Sequence, residues 1–383
     1  MDINLLSQMV TELREQGAIK SIEVEKAFNK VLRHKLIENF YLPSCLKQPI
    51  VNHPDNPNPE HLKLIYANKS LITRISDGKP SSSTSEPFLM ANMLELLALS
   101  PILKVLEIGV GTGYNAALMS EIVEDQTLIF SVDIQEDVIT QTKRLLSNAG
   151  YPNINLVLRD GFFGIQEEAP FDRIVATVGT QDISPYWVAQ LSTSGFMILP
   201  LYHGGWNPLV KVRWQDGILT GKVVGISGFM PFQGNEFSYN PSLLNSINSF
   251  PAIEEFEELP LFHNLEAEPN NNILMWSAFP IGFYYFIGIF YSNAIWGMKP
   301  AGYGFYDEQD GIILFSPQKN CILLKGNRRL YERLQELYGI WLELGKPSLS
   351  DYDIKFVPKS KAVPLSKEEW IIERKFYNQY LSL

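Results

Sequence analysis

Cysteine is almost missing from this chain: Cys45 and Cys321, far apart in sequence, are its two thiols. That excludes a disulfide framework, and no metal site is expected; both thiols are read as reduced and structural. Positive charge is also short, with 32 Lys and Arg against 42 Asp and Glu and a net charge of −10. A general nucleic-acid binder, whose affinity rests on cations neutralising phosphates, is thereby disfavoured. The opening stretch MDINLLSQMVTELREQG has no basic segment followed by an apolar core. No signal peptide is expected from it, and a cytoplasmic location follows as the expectation. What the chain does have is 45% hydrophobic and 12% aromatic residues over 383 positions. That is enough for a real core, and for two domains or one large domain with an appendage.

The most informative stretch is KVLEIGVGTGYN, from Lys104 to Asn115. An apolar run ends in Gly109, Gly111 and Gly113, and an apolar helical segment follows from Ala116 to Val123. The order is strand, tight turn, helix. Glycines there permit positive φ and let a ligand approach the backbone, while the new helix points its free N–H groups at the turn. Such units hold dinucleotides and also S-adenosylmethionine (SAM). The third glycine falls two residues after the second, so the G-x-G-x-x-G spacing is not met, and no Gly-Lys-Ser/Thr is present. Glu107 inside the motif would be awkward beside a pyrophosphate but suits the ammonium of a methionine moiety. SAM is the expected cofactor.

From Ile102 the pattern alternates: strand 104–109, helix 114–123, strand 127–133, helix 136–149, strands 154–158 and 172–178, helix 184–191 and strand 195–200. A hairpin-like pair, 209–215 and 218–226, follows. This predicts an α/β, doubly wound, mainly parallel sheet with ligands at the carboxyl ends of its strands. Asp133, ending the second strand, stands where a carboxylate can accept from ribose hydroxyls. Asp160 and Gly161, ending the third, are placed to bound an adenine pocket. Before this core, residues 3–38 read as a helical cap, with Leu5, Met9, Val10 and Leu13 and then Ala27, Val31 and Leu32 at helical spacing. Ser81 to Thr84 read as a serine-rich loop, with Ser85 or Glu86 capping a helix that starts at Pro87.

Several blocks carry a family resemblance. LREQGAI with KAFNKVLRHKLI, SSTSEPFLMANMLELLAL, LEIGVGTGYNAALMSEIV, and DGFFGIQEEAPFDRIVATVG followed by GFMILP occur in the order and spacing of the protein-L-isoaspartate O-methyltransferase family. The resemblance spans about Leu5 to Gln233. It implies SAM-dependent methyl transfer to a carboxylate of an isoaspartyl (or aspartyl) residue in a peptide or protein, with S-adenosylhomocysteine as product. The methyl ester then collapses to a succinimide. Matched by position, Ser85 falls on the active-site serine. Glu107, Gly109, Gly111 and Gly113 fall on the motif holding the methionine end, Asp133 on the ribose acid, and Asp160 with Gly161 on the adenine side. A carboxylate is already a nucleophile, so no catalytic histidine is sought, and His53 and His203 read as loop residues.

The chain departs from the family at Leu32, where a Val-Pro-Arg block has proline, and at VGTQDISP and LPLYHGGWNP. It departs again at Glu86, an added negative charge beside Ser85. Residues from about 235 onward have no counterpart in the plain family, so domains are expected at 1–235 (catalytic) and 236–383 (a smaller α+β extension, either recognising substrate or steadying the first domain). Within it, Ile273 to Tyr291 carry no charge over 19 positions but are interrupted by Pro280, Gly282 and Gly288. Two buried strands are expected there rather than a membrane span. A hairpin around 316–320, a helix 328–344 and a strand over DYDIKFVP follow. Extended relatives of this kind imply an alternative function, tailoring of an Asp in a ribosomally made peptide precursor. A tRNA methyltransferase, which shares the fold, is a third reading, set against the acidic balance and the absence of Asn/Asp-Pro-Pro-Tyr after the fourth strand. The expected partner is a peptide or protein, with no nucleic acid, no membrane and a monomeric state.

Overall fold

A computed structural model describes residues 2–42, 45–204, 207–234, 236–237, 255–262, 280–291, 294–298, 302–307, 309–316, 319–361, 363–366 and 368–383. The chain divides into two compact units. The first comprises 1–200, 211–214 and 229–237; the second comprises 201–210, 215–228 and 238–383. A single cut near 235 differs from this division over 201–210 and 215–228, which join the second unit.

In the first unit, helix α1 (Asp2–Glu15) buries Leu6, Met9, Val10 and Leu13, so Leu6 rather than Leu5 completes the apolar stripe. Helix α2 (Ile22–Lys30) is capped by Ser21, whose Oγ accepts from Val24 N. The helical cap ends sooner than the spacing suggests. After one 3-10 turn at Arg33–Leu36 come strands β1 (Asn39–Leu42) and β2 (Cys45–Val51), helix α3 (Pro59–Ile65), and strands β3 (Leu71–Ser76) and β4 (Lys79–Thr84). The four strands form an antiparallel sheet in the order β2-β1-β3-β4. Ser81 to Thr84 are therefore strand, not loop. Serine has weak strand propensity, and the pairing with β3 overrides it.

Helix α4 (Pro87–Leu97) does start at Pro87, but neither expected cap works through its side chain. Glu86 is the N-cap residue and makes no side-chain cap bond, while Asn68 Oδ1 accepts from Phe88 N at 2.9 Å. The alternating core follows: β5 (Val105–Ile108), α5 (Tyr114–Val123), β6 (Ile129–Asp133), α6 (Glu136–Asn148), β7 (Asn155–Leu158), β8 (Phe171–Ala176), α7 (Pro185–Gln190) and β9 (Leu191–Pro200). The ladders β5–β6, β5–β8, β6–β7 and β8–β9 are all parallel, giving the order β9-β8-β5-β6-β7. All four residues of β5 are buried, as a central strand covered on both faces requires. The order reverses direction beside β5, so its carboxyl end is the switch point where such sheets bind ligands.

The second unit contains strand β11 (Ile218–Ser227) and most of the remaining elements; strand β10 (Asn207–Gln215) is shared between the units. Strands β12 (Glu257–Pro260), β13 (Ala294–Met298), β14 (Gly302–Asp307), β15 (Gly311–Ser316) and β16 (Cys321–Gly326) form an antiparallel sheet ordered β12-β16-β15-β14-β13. The expected hairpin is the β15–β16 pair. Strands β17 (Asp353–Pro358), β18 (Trp370–Ile372) and β19 (Tyr377–Ser382) extend from β11 in antiparallel ladders.

Helix α8 (Ile281–Gly288) corrects the expectation of two buried strands. Every one of its residues is buried, and a helix apolar on all sides looks like a strand when read for periodicity alone. Residues 273–279 of that run lie outside the described residues. Helix α9 (Arg328–Glu343) turns Leu330, Leu334, Leu337 and Trp341 inward, and Phe283 of α8 sits 5.5 Å from the Trp341 ring. Gly345 (φ 83°) then ends the helix. Among the described residues no helix is long and apolar enough to cross a membrane.

Candidate active site

The site is built where β5 stops. Gly109 (φ 98°) and Gly111 (φ 52°) adopt the left-handed backbone that the turn demands. They are also places where a side chain has no room. A Cβ on Gly109 would lie 2.9 Å from Thr177 Oγ1, and one on Gly111 would lie 2.9 Å from the Ser83 carbonyl. Hydroxyls pin the turn from outside: Thr177 Oγ1 donates to the carbonyls of Ile108 and Gly109, and Thr142 Oγ1 donates to that of Gly111. Gly113 (φ 78°) is the exception among the expected residues. It does not line the cleft; it starts α5, and a Cβ there would strike Thr142 Cγ2 at 2.7 Å. Its glycine is required by the packing of α5 against α6, so it shapes the motif without facing a ligand.

Glu107 is fully buried at the base of the turn. Asn115 Nδ2 donates to its Oε1 at 2.8 Å, and Ser131 Oγ donates to Oε2. Burial pushes this carboxyl up to about 7, with the two hydrogen bonds opposing the rise. A buried acid with no cation beside it calls for one. Asp133, at the end of β6, accepts from Gln135 N at 3.1 Å and from Gly111 N at 3.4 Å. Burial raises its pKa, and those backbone N–H groups hold it down. Asp160 closes the turn after β7 by accepting from Phe162 N at 2.9 Å, and a Cβ on Gly161 would press into Ile108.

Ser85, Glu107, Gly109, Gly111, Asp133, Asp160 and Gly161 line one cleft holding about 840 Å³ of empty space and open to solvent. Its other wall is the segment 230–234, fixed by Gln233 Nε2 donating to the Ser81 carbonyl at 3.0 Å; Gln135 Nε2 donates to the same carbonyl at 2.9 Å. Two buried hydroxyls on the lining, Ser81 Oγ and Tyr114 Oη, have no hydrogen-bond partner among the described residues. A glycine cradle, a cation-seeking acid and unpartnered donors fit a zwitterionic, nucleoside-bearing cofactor of the SAM type. No group of three or more His, Cys, Asp or Glu able to hold a metal occurs among the described residues. His203 belongs to the second unit, stacked on Tyr285 with ring centroids 4.0 Å apart, and is no part of this cleft.

Sequence reasoning missed three contributors. Segment 230–234 carries no motif, since it reaches the cleft through the bridge between Gly179 and Pro231. Asn115 follows the glycine motif but has no recognisable partner until the fold places Glu107 beside it. Arg33 was visible in the second block, but its contacts at 65–69 and 85 were not.

The family model described as "Protein-L-isoaspartate(D-aspartate) O-methyltransferase (PCMT)" matches residues 4–237. A protein-L-isoaspartate O-methyltransferase of Pyrococcus horikoshii is 33% identical over 228 residues, which is 59% of this chain and 91% of that protein. The enzyme of that name from Thermotoga maritima is 37% identical over 176 residues, 45% of this chain and 55% of that protein. A solved structure named protein-L-isoaspartate O-methyltransferase shares the fold with a TM-score of 0.54 at 22% identity, over 91% of this chain and 96% of its own. The family match ends at residue 237, and the chain beyond it is the C-terminal extension that the sequence predicts. The match over 4–237 is with the part of the chain that builds the cleft, and the chain belongs to the protein-L-isoaspartate(D-aspartate) O-methyltransferase family.

Proposed function

We propose that the cleft at the end of β5 performs the SAM-dependent carboxyl methyl transfer of this family, on an isoaspartyl (or aspartyl) residue of a peptide or protein. Glu107 would hold the ammonium of the methionine moiety, with the Gly109–Gly111 turn against its chain. Asp133 would accept from the ribose hydroxyls, and Asp160 with Gly161 would bound the adenine. When bound, the cofactor supplies an electrophilic methyl on a sulfonium. The chain's own residues then have to place a carboxylate oxygen, keep it in line and keep water out.

Ser85 fits that role. It lies half-buried on the lining at the hinge between β4 and α4, and its Oγ makes no hydrogen bond within the chain among the described residues. A free hydroxyl at that point can donate to the incoming carboxylate. No general base is needed, because the nucleophile is already ionised at neutral pH. Holding it in the attacking geometry contributes on the order of 7–11 kcal/mol in well-oriented systems. The observation that carries the reading is the convergence of buried Glu107, the glycine turn and Ser85 on one cleft.

The first unit is taken as catalytic, and residues 236–383 as an extension that contacts the substrate. The enzyme is taken as a cytoplasmic monomer without nucleic-acid or membrane partners. One assay tests the substrate assignment: transfer of radiolabelled methyl to an isoaspartyl peptide, to its Asp counterpart and to RNA. Labelling of the isoaspartyl peptide alone supports the repair-type activity. Labelling of the Asp peptide favours tailoring, and labelling of RNA overturns the protein-substrate reading.

A further inference from the structure

Arg33 is fully buried, yet no carboxylate lies within salt-bridge distance of it among the described residues. Its guanidinium donates instead to main-chain carbonyls: Nη1 to Ile65 at 2.6 Å and to Ala67 at 3.3 Å, Nη2 to Lys69 at 3.1 Å and to Ser85 at 2.9 Å. A desolvated cation held by carbonyls alone is expensive, and a hydrophobic residue would fill the space at less cost. The arrangement makes sense as a strut. It joins the turn after α3 to the one residue of the β4–α4 hinge that faces the cleft. The same turn grips the other side of the hinge, where Asn68 Oδ1 accepts from Phe88 N. Arg33 also lies over the ring of Tyr114, 5.9 Å from its centroid, and Tyr114 is a second lining residue.

Glu86 adds a reason for the charge. It is partly buried, burial pushes its carboxyl up, and the Arg33 cation pulls it back. The Arg33 cation thus offsets part of the burial cost of the acid beside Ser85.

We propose that Arg33 is a positioning residue for methyl transfer, fixing the Ser85 hydroxyl through the Ser85 main chain and offsetting the charge of Glu86. This rests on the assignment of Ser85 above. The test uses the full chain with an isoaspartyl peptide, measuring kcat, peptide KM and, by calorimetry, SAM affinity for Arg33→Met, Arg33→Lys, Ser85→Ala, Arg33→Met with Ser85→Ala, and Arg33→Met with Glu86→Gln. Misplacing a reacting group by about 1 Å costs about 100-fold in rate. Arg33→Met is therefore expected to lower kcat about 100-fold with SAM affinity within threefold of the parent, and Arg33→Lys to recover part of it. The double variant with Ser85→Ala should turn over no more slowly than Ser85→Ala alone. Arg33→Met should also raise peptide KM, and adding Glu86→Gln should restore KM but not kcat.

The proposal is overturned if folded Arg33→Met keeps kcat within threefold, or if its loss multiplies with that of Ser85→Ala. Where Arg33→Met does not fold, Asn68→Ala decides, with a kcat loss of about tenfold at unchanged SAM affinity expected and an unchanged kcat refuting the strut. Full turnover by Ser85→Ala would remove the serine assignment itself, whereas an inactive Ser85→Ala beside an active Arg33→Met would remove only the strut.

Discussion

Replacing Glu107 with glutamine should make the free enzyme more stable and the cofactor weaker. The isolated carboxyl ordinarily titrates at 4.5 and is raised to about 7 by complete burial. At about 1.4 kcal/mol per factor of ten, ionising it in the free fold costs about 3 kcal/mol. The sign follows from proton counting. Between pH 4.5 and 7 the folded state holds a proton that the unfolded state has lost, so stability falls as pH rises through that window. Below 4.5 both states are protonated and the penalty vanishes; above 7 it is complete. Glutamine keeps the shape, and its amide can accept from Asn115 Nδ2 and donate to Ser131 Oγ, so neither partner is orphaned. Urea denaturation of the cofactor-free chain should therefore show Glu107→Gln more stable than the parent by up to about 3 kcal/mol at pH 8, with little difference at pH 4.5. Calorimetry should show the reverse for binding. Losing one partner of a buried ion pair costs about 3–5 kcal/mol, so SAM affinity should fall at least about a hundredfold. In the parent, affinity should also weaken as pH drops below 7, by at most tenfold per pH unit, because the acid must lose its proton to meet the ammonium. A glutamine variant that is less stable at pH 8, or that binds SAM as the parent does, would refute the assignment of Glu107 as the cation-holding group.

Asp133→Ala should weaken SAM binding about tenfold to a hundredfold, measured by calorimetry, while Gln135 N and Gly111 N lose their acceptor. Gly111→Ala forces a side chain into a left-handed backbone at φ 52° and against the Ser83 carbonyl, so SAM affinity should fall at least tenfold. Gly150→Ala, also at positive φ (94°) but with open space around it, should cost about 1–2 kcal/mol of stability and leave SAM affinity unchanged. In the second unit, burial holds His203 down at about 3, below its ordinary 6.5. Its contribution is complete above pH 6.5 and should be lost at about 1.4 kcal/mol per pH unit as pH falls toward 3, because only the unfolded chain takes up the proton. By urea denaturation, the stability of the parent relative to His203→Phe should be about 1.4 kcal/mol lower at pH 5.5 than at pH 7.5, the opposite titration of Glu107 being common to both chains.

What could be read in the sequence was whatever is local. The Lys104–Asn115 stretch states its own geometry, because an apolar run, glycines at positive φ and a helix start are contiguous, and Asp133 and Asp160 follow at or just after strand ends whose positions alternation fixes. Gly113 shows the limit even there: the same motif contains glycines that line the cleft and a glycine demanded by a neighbouring helix, and α6 is needed to tell them apart. Pairing between distant segments left no such mark. Strand β4, Lys-Pro-Ser-Ser-Ser-Thr, has no strand signal of its own and becomes one only by pairing with β3. For α8 the difficulty is the opposite one. Uniform burial erases the polar face by which a helix is told from a strand, so Ile281–Gly288 looked like sheet. The case of Ser85 joins the two. Its hydroxyl is legible as chemistry from one line of sequence, but its position rests on a guanidinium 52 residues upstream and a turn between them. A substitution at Arg33 should therefore be read as a change in the active site, although no part of that residue lines the cleft.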